Sequence, residues 1–163
     1  MQESATSKII RATFRVGFLL CVPALVAWVS GRPFIFPSLG PSAFVLVLDD
    51  KGQVTGARVI GGHLIGLAGG IVAYHLLADG LGLTHFPSSR SLDLLRLAAS
   101  GIVSVMLTTA GMLAAKLEHP PACATTLIVS LGLLSSWWDA VFIMVAVALM
   151  YGVHRVASPS MPG

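Results

Sequence analysis

Charged side chains are so sparse in this chain that they leave six long uncharged runs, residues 16–31, 33–48, 59–78, 97–115, 119–138 and 140–154. A helix needs about 20 apolar residues to cross a bilayer, with a range of roughly 17–25. Runs 59–78, 97–115 and 119–138 meet that length. The run 16–31 reaches it once Arg11 and Arg15 snorkel toward the interface, and the last recruits Trp137 and Trp138, which suit an interfacial belt. The pattern predicts full helices over Ile9–Ser30 (with Pro23 as a kink), Ala57–Leu77, Ser91–Lys116 and from about Asp139 to Val156.

Two stretches interrupt this pattern. In the first, Gly31, Arg32 and Pro33 break the helix, and Pro37 and Gly40 predict an extended or irregular path over 34–40. Pro41 then opens a short helix to Leu48, and Asp49–Gln53 form a turn in water. In the second, Pro120 and Pro121 remove two backbone donors, and Pro121 suits a first helical position for a helix to about Leu134. The order is helix, broken segment, helix, twice over, and an offset of 80 residues places Pro41 on Pro121 and Gly40 on Pro120. If each broken segment crosses the membrane, each repeat makes an odd number of passes and the second copy is inverted.

The expected architecture is therefore an all-α integral membrane protein. It has four transmembrane helices plus two Pro-broken half-helical segments, arranged as an inverted repeat of units 9–78 and 91–157 between polar tails 1–8 and 158–163. Counting Lys and Arg favours segments that cross, with seven basic residues on one side against three, over segments that return, with six against four. The richer side holds both termini, so they are expected in the cytoplasm, with a bacterial inner membrane as the setting. The Lys8, Arg11, Arg15 cluster lacks a clean cleavage site after its apolar stretch, which suits an uncleaved first helix.

Composition agrees. Of 163 residues 55% are hydrophobic and only 10% charged, and the mean hydropathy is +0.86, values of a membrane protein and not of a soluble domain. The net charge of +3 is dispersed over segment ends and never interleaved with aromatics, so it is no nucleic-acid footprint. Cys21 and Cys123 lie in apolar segments without paired spacing, which implies neither a disulfide nor a metal site. No nucleotide fingerprint or nucleophile constellation is present, so neither a cofactor nor an enzymatic role is expected.

The interruptions are where the chemistry should lie. Irregular backbone in hydrocarbon is tolerated only inside protein or beside water, and helices starting at Pro41 and Pro121 would aim free N–H groups and positive dipole ends into a shared cavity. This predicts a small-anion site from Ser38, Gly40, Ser42 and Ala43 on one side and His119, Ala122, Cys123, Ala124, Thr125 and Thr126 on the other. Glu118 would repel an anion unless Lys116 neutralises it or desolvation protonates it, so Glu118 and His119 are candidates for proton coupling, against plain pairing of Glu118 with Lys116 at the interface. His63, His75, His85 and His154 suggest no facing pair, since His63 and His75 lie about 120° apart around one helix. Gly62, Gly66 and Gly70 form a smooth stripe for close packing against a helix of the same chain or of a second subunit.

Glu118-His119-Pro120-Pro121-Ala122, followed by the small, Thr-containing Cys123-Ala124-Thr125-Thr126, resembles the signature of the HPP family of small integral membrane proteins. Phe36-Pro37-Ser38-Leu39-Gly40-Pro41-Ser42-Ala43 resembles that family's second motif. Cys123 departs from the Gly or other small residue expected there. Plant and cyanobacterial members are associated with nitrite transport, so the resemblance implies a transporter of a small inorganic anion with the lipid bilayer as its setting. The chain's small size adds a homodimer as an expected partner. The rival expectations are a regulatory or assembly module that moves nothing, and an anion channel.

Overall fold

The structure is a computed structural model and describes residues 5–49, 51–85 and 87–157. The tails predicted at 1–8 and 158–163, and Asp50 of the predicted turn, therefore lie wholly or partly outside the described residues. Six helices follow in order: α1 (Ala5–Ser30), α2 (Ile35–Leu48), α3 (Gly56–Leu77), α4 (Leu92–Ala115), α5 (Ala122–Ser130) and α6 (Trp137–Ala157). α1, α3, α4 and α6 are long and apolar enough to cross a membrane. The protein is thus an all-α integral membrane protein, with lipid against its outer surfaces. Phe14, Phe18, Leu25, Trp28, Leu95, Ile102 and Met106 stand exposed on α1 and α4, as expected where lipid replaces water.

Local chemistry sets the helix ends. The hydroxyls of Thr55 and Ser91 cap α3 and α4 by accepting from the amides of Arg58 and Leu94. Lys116 closes α4 in the left-handed conformation (φ 56°), its amide returning to the Leu113 and Met112 carbonyls.

The first interrupted stretch differs from expectation. Residues 35–40 are helical, so α2 begins at Ile35 and not at Pro41. Pro37 falls in the first turn, where its missing N–H costs nothing. Pro41 lies inside the helix and forfeits only the bond to the Pro37 carbonyl. In the second stretch the adjacent Pro120 and Pro121 hold the chain out of helix until Ala122, with Pro121 as the N-cap. α5 stops at Ser130, short of Leu134, where Gly132 takes a positive φ of 73°.

Side-chain contacts fix the direction of each helix. At one end of the bundle, Arg32 after α1 ion-pairs with Asp139 at the start of α6 and stacks on Phe142. At the opposite end, Gly56 at the start of α3 lies against Tyr151 near the end of α6. There too Arg58 of α3 reaches Glu118 at 3.8 Å, and Gly61 meets Leu117. Back at the Arg32 end, Arg96 at the start of α4 donates to the Leu77 carbonyl at 2.9 Å, and Ser100 donates to the Ser130 carbonyl at 2.8 Å. All six helices therefore alternate in direction. α2, about 21 Å long, and α5, about 13 Å, each carry the chain from one end toward the other. Both interrupted segments are passes rather than returns, and the half containing α4, α5 and α6 runs inverted relative to the half containing α1, α2 and α3.

The packing has the same symmetry. α3, α4 and α5 pack mutually, as do α6, α1 and α2, and between these two bundles the substantial contacts are α2 with α5 and α3 with α6. Exchanging α1 with α4, α2 with α5 and α3 with α6 turns one bundle into the other. Each bundle thus borrows one long helix from the other repeat. Of the four long helices α3 is the most enclosed and α1 the least.

The glycine stripe explains why. A Cβ on Gly62 would lie 2.7 Å from the His119 Cβ, one on Gly66 2.7 Å from the Thr126 hydroxyl, and one on Gly70 2.9 Å from the Thr126 carbonyl. The stripe is filled by the His-Pro-Pro segment and α5 of the same chain. It is therefore not open to a second subunit, which removes the sequence argument that it forms a homodimer interface.

Candidate functional site

Ser42, on the second half of α2, is fully buried and faces two imidazoles. Its Oγ is 2.9 Å from His63 Nε2 of α3 and 3.0 Å from His119 Nε2 of the His-Pro-Pro segment. The two rings stand 5.4 Å apart, tilted by 57°. On its far side His63 Nδ1 is 2.9 Å from Thr125 Oγ1 of α5, and Thr125 Oγ1 donates to the Ser38 carbonyl of α2 at 3.5 Å. Gly62 is what admits the His119 ring so close to α3. A second buried pair, Thr108 of α4 and Thr126 of α5 at 3.1 Å, adjoins the first across Gly66 and Gly69.

This cluster occupies the seam between the two bundles. Among the described residues, the side-chain hydrogen bonds that cross the seam are those of Ser42 to His63 and His119 and of Thr125 to the Ser38 carbonyl. The ion pairs Arg32–Asp139 and Arg58–Glu118 each stay within one bundle. Among the described residues the buried polar side chains are Ser, Thr and His, with no Asp, Glu, Lys or Arg among them. The cluster is therefore polar but carries no fixed charge.

The predicted site residues fare unequally. Ser38, Ser42, His119, Thr125 and Thr126 are buried and come together at or beside the seam. Ala122 lies beneath Gly66, and Ala43 packs into the aliphatic core with Leu39 and Leu46. Gly40 has no neighbour within 4 Å of where its Cβ would be, so it lines no cluster.

The predicted free amides are spent. Those of Ser42 and Ala43 lie within α2, six residues or more past its start. Those of Ala122, Cys123 and Ala124 donate to the carbonyls of His119, Pro120 and Pro121 at 2.9, 3.0 and 3.1 Å. Tight i to i−3 turns absorb the donors that a helix start would otherwise leave open. The donors at the seam are side-chain hydroxyls and imidazole N–H groups instead. Glu118 pairs with Arg58 rather than Lys116, with both side chains more than 40% exposed at the bundle end, outside the buried cluster.

His63 is the residue that sequence reasoning missed. Compared only with His75 on its own helix, it looked isolated; its partners come from three other parts of the chain. A signal existed: His63 sits mid-span directly beside Gly62, and an ionisable residue inside a membrane helix is a functional candidate by default.

A serine between two histidines invites comparison with a nucleophile and its base. Here, however, the Ser42 oxygen is closed in by both rings and no carboxylate orients either of them. What the arrangement can do is bind, pass and store protons, and offer neutral donors to a small polar guest.

A small polytopic helical protein, built from two inverted three-helix units with a buried polar seam, is the class that fold and site define. The description "HPP, transmembrane region" matches residues 1–158, nearly the whole length, and the chain belongs to this family. No curated protein and no solved structure is detectably similar to it.

Proposed function

We propose that this protein is a secondary transporter or facilitator of a small inorganic anion, nitrite by family resemblance, and that the guest binds at the seam of Ser42, His63, His119 and Thr125. The observation that carries this reading is a hydrogen-bonded polar cluster buried between two inverted bundles. Polar groups inside a bilayer are costly and mark pathways, and inverted repeats that rock about a shared site are a transporter design. The hydroxyls and imidazole N–H groups serve as donors in place of backbone amides. The reading assigns no covalent chemistry, cofactor, metal or nucleic acid to the chain.

Orientation follows from charge. Lys8, Arg11, Arg15, Lys51, Arg58, Lys116 and Arg155 belong to one end, and Arg32, Arg90 and Arg96 to the other. The richer end is assigned to the cytoplasm, with a bacterial inner membrane as the setting. Counting along α3, His63 sits about 10 Å from that end, on the cytoplasmic side of the midplane. A homodimer would have to use the lipid-facing surfaces of α1, α4 or α6.

One observation favours a module that moves nothing. No buried side-chain nitrogen or oxygen among the described residues lacks a hydrogen-bond partner, as in a cluster whose work is to hold two bundles together. Flux into liposomes decides between them. The purified protein is expected to admit nitrite, alone or among nitrate, formate and chloride. His119→Ala is expected to lower that flux at least tenfold with insertion intact. Absence of flux for all these anions, with or without a pH gradient, overturns the transport reading in favour of the module.

A further inference from the structure

Donor and acceptor capacities fix the direction of the chain of hydrogen bonds at the seam. A carbonyl only accepts, so Thr125 donates its single hydroxyl hydrogen to the Ser38 carbonyl and must accept from His63 Nδ1–H. His63 Nε2 then carries no hydrogen and accepts from the Ser42 hydroxyl. Having spent its one hydrogen, Ser42 accepts from His119 Nε2–H. Both rings are neutral in this arrangement and hold opposite tautomers, and His119 Nδ1 is left as the open acceptor at the end of the chain.

We infer that His119, Ser42, His63 and Thr125 form a closed-ended proton relay whose storage site is His63. A proton arriving at His119 Nδ1 lets the His119 Nε2 hydrogen pass to the Ser42 oxygen. Ser42 passes its own hydrogen to His63 Nε2. The ring of His63 then holds hydrogens on both nitrogens, and His119 holds one on Nδ1 alone. The four side chains share five hydrogens before and after, counting the incoming proton, and every hydrogen bond survives. The sense at Ser42 is simply reversed: it now accepts from His63 and donates to His119.

The proton goes no further. Thr125 already donates to a carbonyl, and the Ser38 carbonyl has no hydrogen to release. The relay therefore loads and unloads through His119, which follows the half-exposed Glu118 at the bundle end. A dead end is what separates a coupling site from a proton leak.

No other ionisable group intrudes. Arg58 on α3, Lys116 after α4, Glu118, Cys123 on α5 and Tyr151 on α6 contribute none of the hydrogen bonds to either ring, and the described residues of α2 include no titratable side chain. As the coupling element of a transporter the relay rests on the transport reading above; as a proton-binding site it stands on this geometry alone.

The test is nitrogen-15 NMR of histidine-labelled, full-length protein in lipid bilayers. At high pH His63 is expected as the Nδ1–H tautomer and His119 as Nε2–H. On acidification His63 is expected to become doubly protonated and His119 to switch to Nδ1–H in the same step, with one proton taken up by the pair. Ser42→Ala is expected to abolish the coincident switch. Should that variant fail to fold, the isosteric Thr125→Val is expected to erase the tautomer preference of His63. The inference is overturned by tautomers of the opposite assignment, by a His119 that keeps its tautomer while His63 titrates, by independent uptake of two protons, or by a pair that never protonates before unfolding. Absence of anion flux with the switch intact removes the transport role and leaves the proton site standing.

Discussion

The two symmetry-related ends of the bundle make the same backbone connections and fill them with opposite chemistry. At the 80-residue offset, His119 corresponds to Leu39, Thr126 to Leu46, and Ser42 and His63 to Ala122 and Ile143. Leu39, Leu46, Ala122 and Ile143 are all buried, and most of them belong to the aliphatic core. One of the two symmetry-related sites is thus dry where the other is wet. The fold requires only that the positions be filled, since a matched apolar set packs as well as a hydrogen-bonded polar one. The polar set at one end alone is what an inverted repeat needs if its two mouths are to differ.

Packing at the glycine stripe is shared by any reading of function, and breaking it should have the largest effect. Gly70→Leu pushes a side chain into the Thr126 carbonyl and Val129, where a Cβ alone would lie within 3.0 Å. Overpacking typically costs 1–3 kcal/mol, and this site is backbone-lined, so about 3 kcal/mol is expected, read as lost folded yield and lowered Tm in detergent. Gly17→Ala, whose Cβ would meet nothing within 4 Å on the exposed face of α1, is the control. It is expected to stabilise the helix by about 0.5–1 kcal/mol.

A second experiment makes the wet end dry. Ser42→Ala, His63→Leu and His119→Leu together copy the character of Ala122, Ile143 and Leu39, while Thr125 keeps the Ser38 carbonyl. Replacing all partners of a buried network is far cheaper than orphaning one. The triple variant is expected to stay within about 1 kcal/mol of wild type, whereas His63→Leu alone, leaving Ser42 and Thr125 short of a partner, is expected to cost about 2 kcal/mol. Denaturation in mixed micelles measures both. A triple variant less stable than His63→Leu would mean that the cluster exists for stability, and the contrast between the ends would lose its functional meaning.

The smallest effect belongs to the exposed Arg58–Glu118 rim. Arg58 and Glu118 lie 3.8 Å apart with both side chains more than 40% exposed, so Glu118→Gln is expected to change stability by less than about 0.5 kcal/mol, with no salt dependence left to detect. Arg32→Ala at the opposite rim removes a less exposed pair together with the stack on Phe142. It is expected to cost about 1.5 kcal/mol, the range of charge-assisted hydrogen bonds.

Much of this architecture was legible in the sequence because apolar run length and proline placement are local properties. The four long helices, the two interrupted passes and their 80-residue offset all follow from them, and so does the role of Gly62, Gly66 and Gly70 in close packing. The start of α2 was misjudged because a proline in the first turn and a proline that breaks a helix look alike in sequence; they differ only in whether a carbonyl four residues back was waiting. The amides after Pro121 were expected to be free because turn closure by His119, Pro120 and Pro121 depends on backbone angles that composition does not fix. His63 stayed hidden for a different reason. Its partners lie 21, 56 and 62 positions away, and no pattern along one helix can bring Ser42, His119 and Thr125 to the same imidazole.

Because each bundle borrows a long helix from the other repeat, the interlocked halves cannot separate like the shells of a clam without pulling α3 from α6. Any relative motion of the two bundles therefore disturbs the α3–α6 and α2–α5 contacts together. Ser42 belongs to one bundle and both imidazoles to the other, so the same motion lengthens or shortens the serine's two hydrogen bonds as a pair.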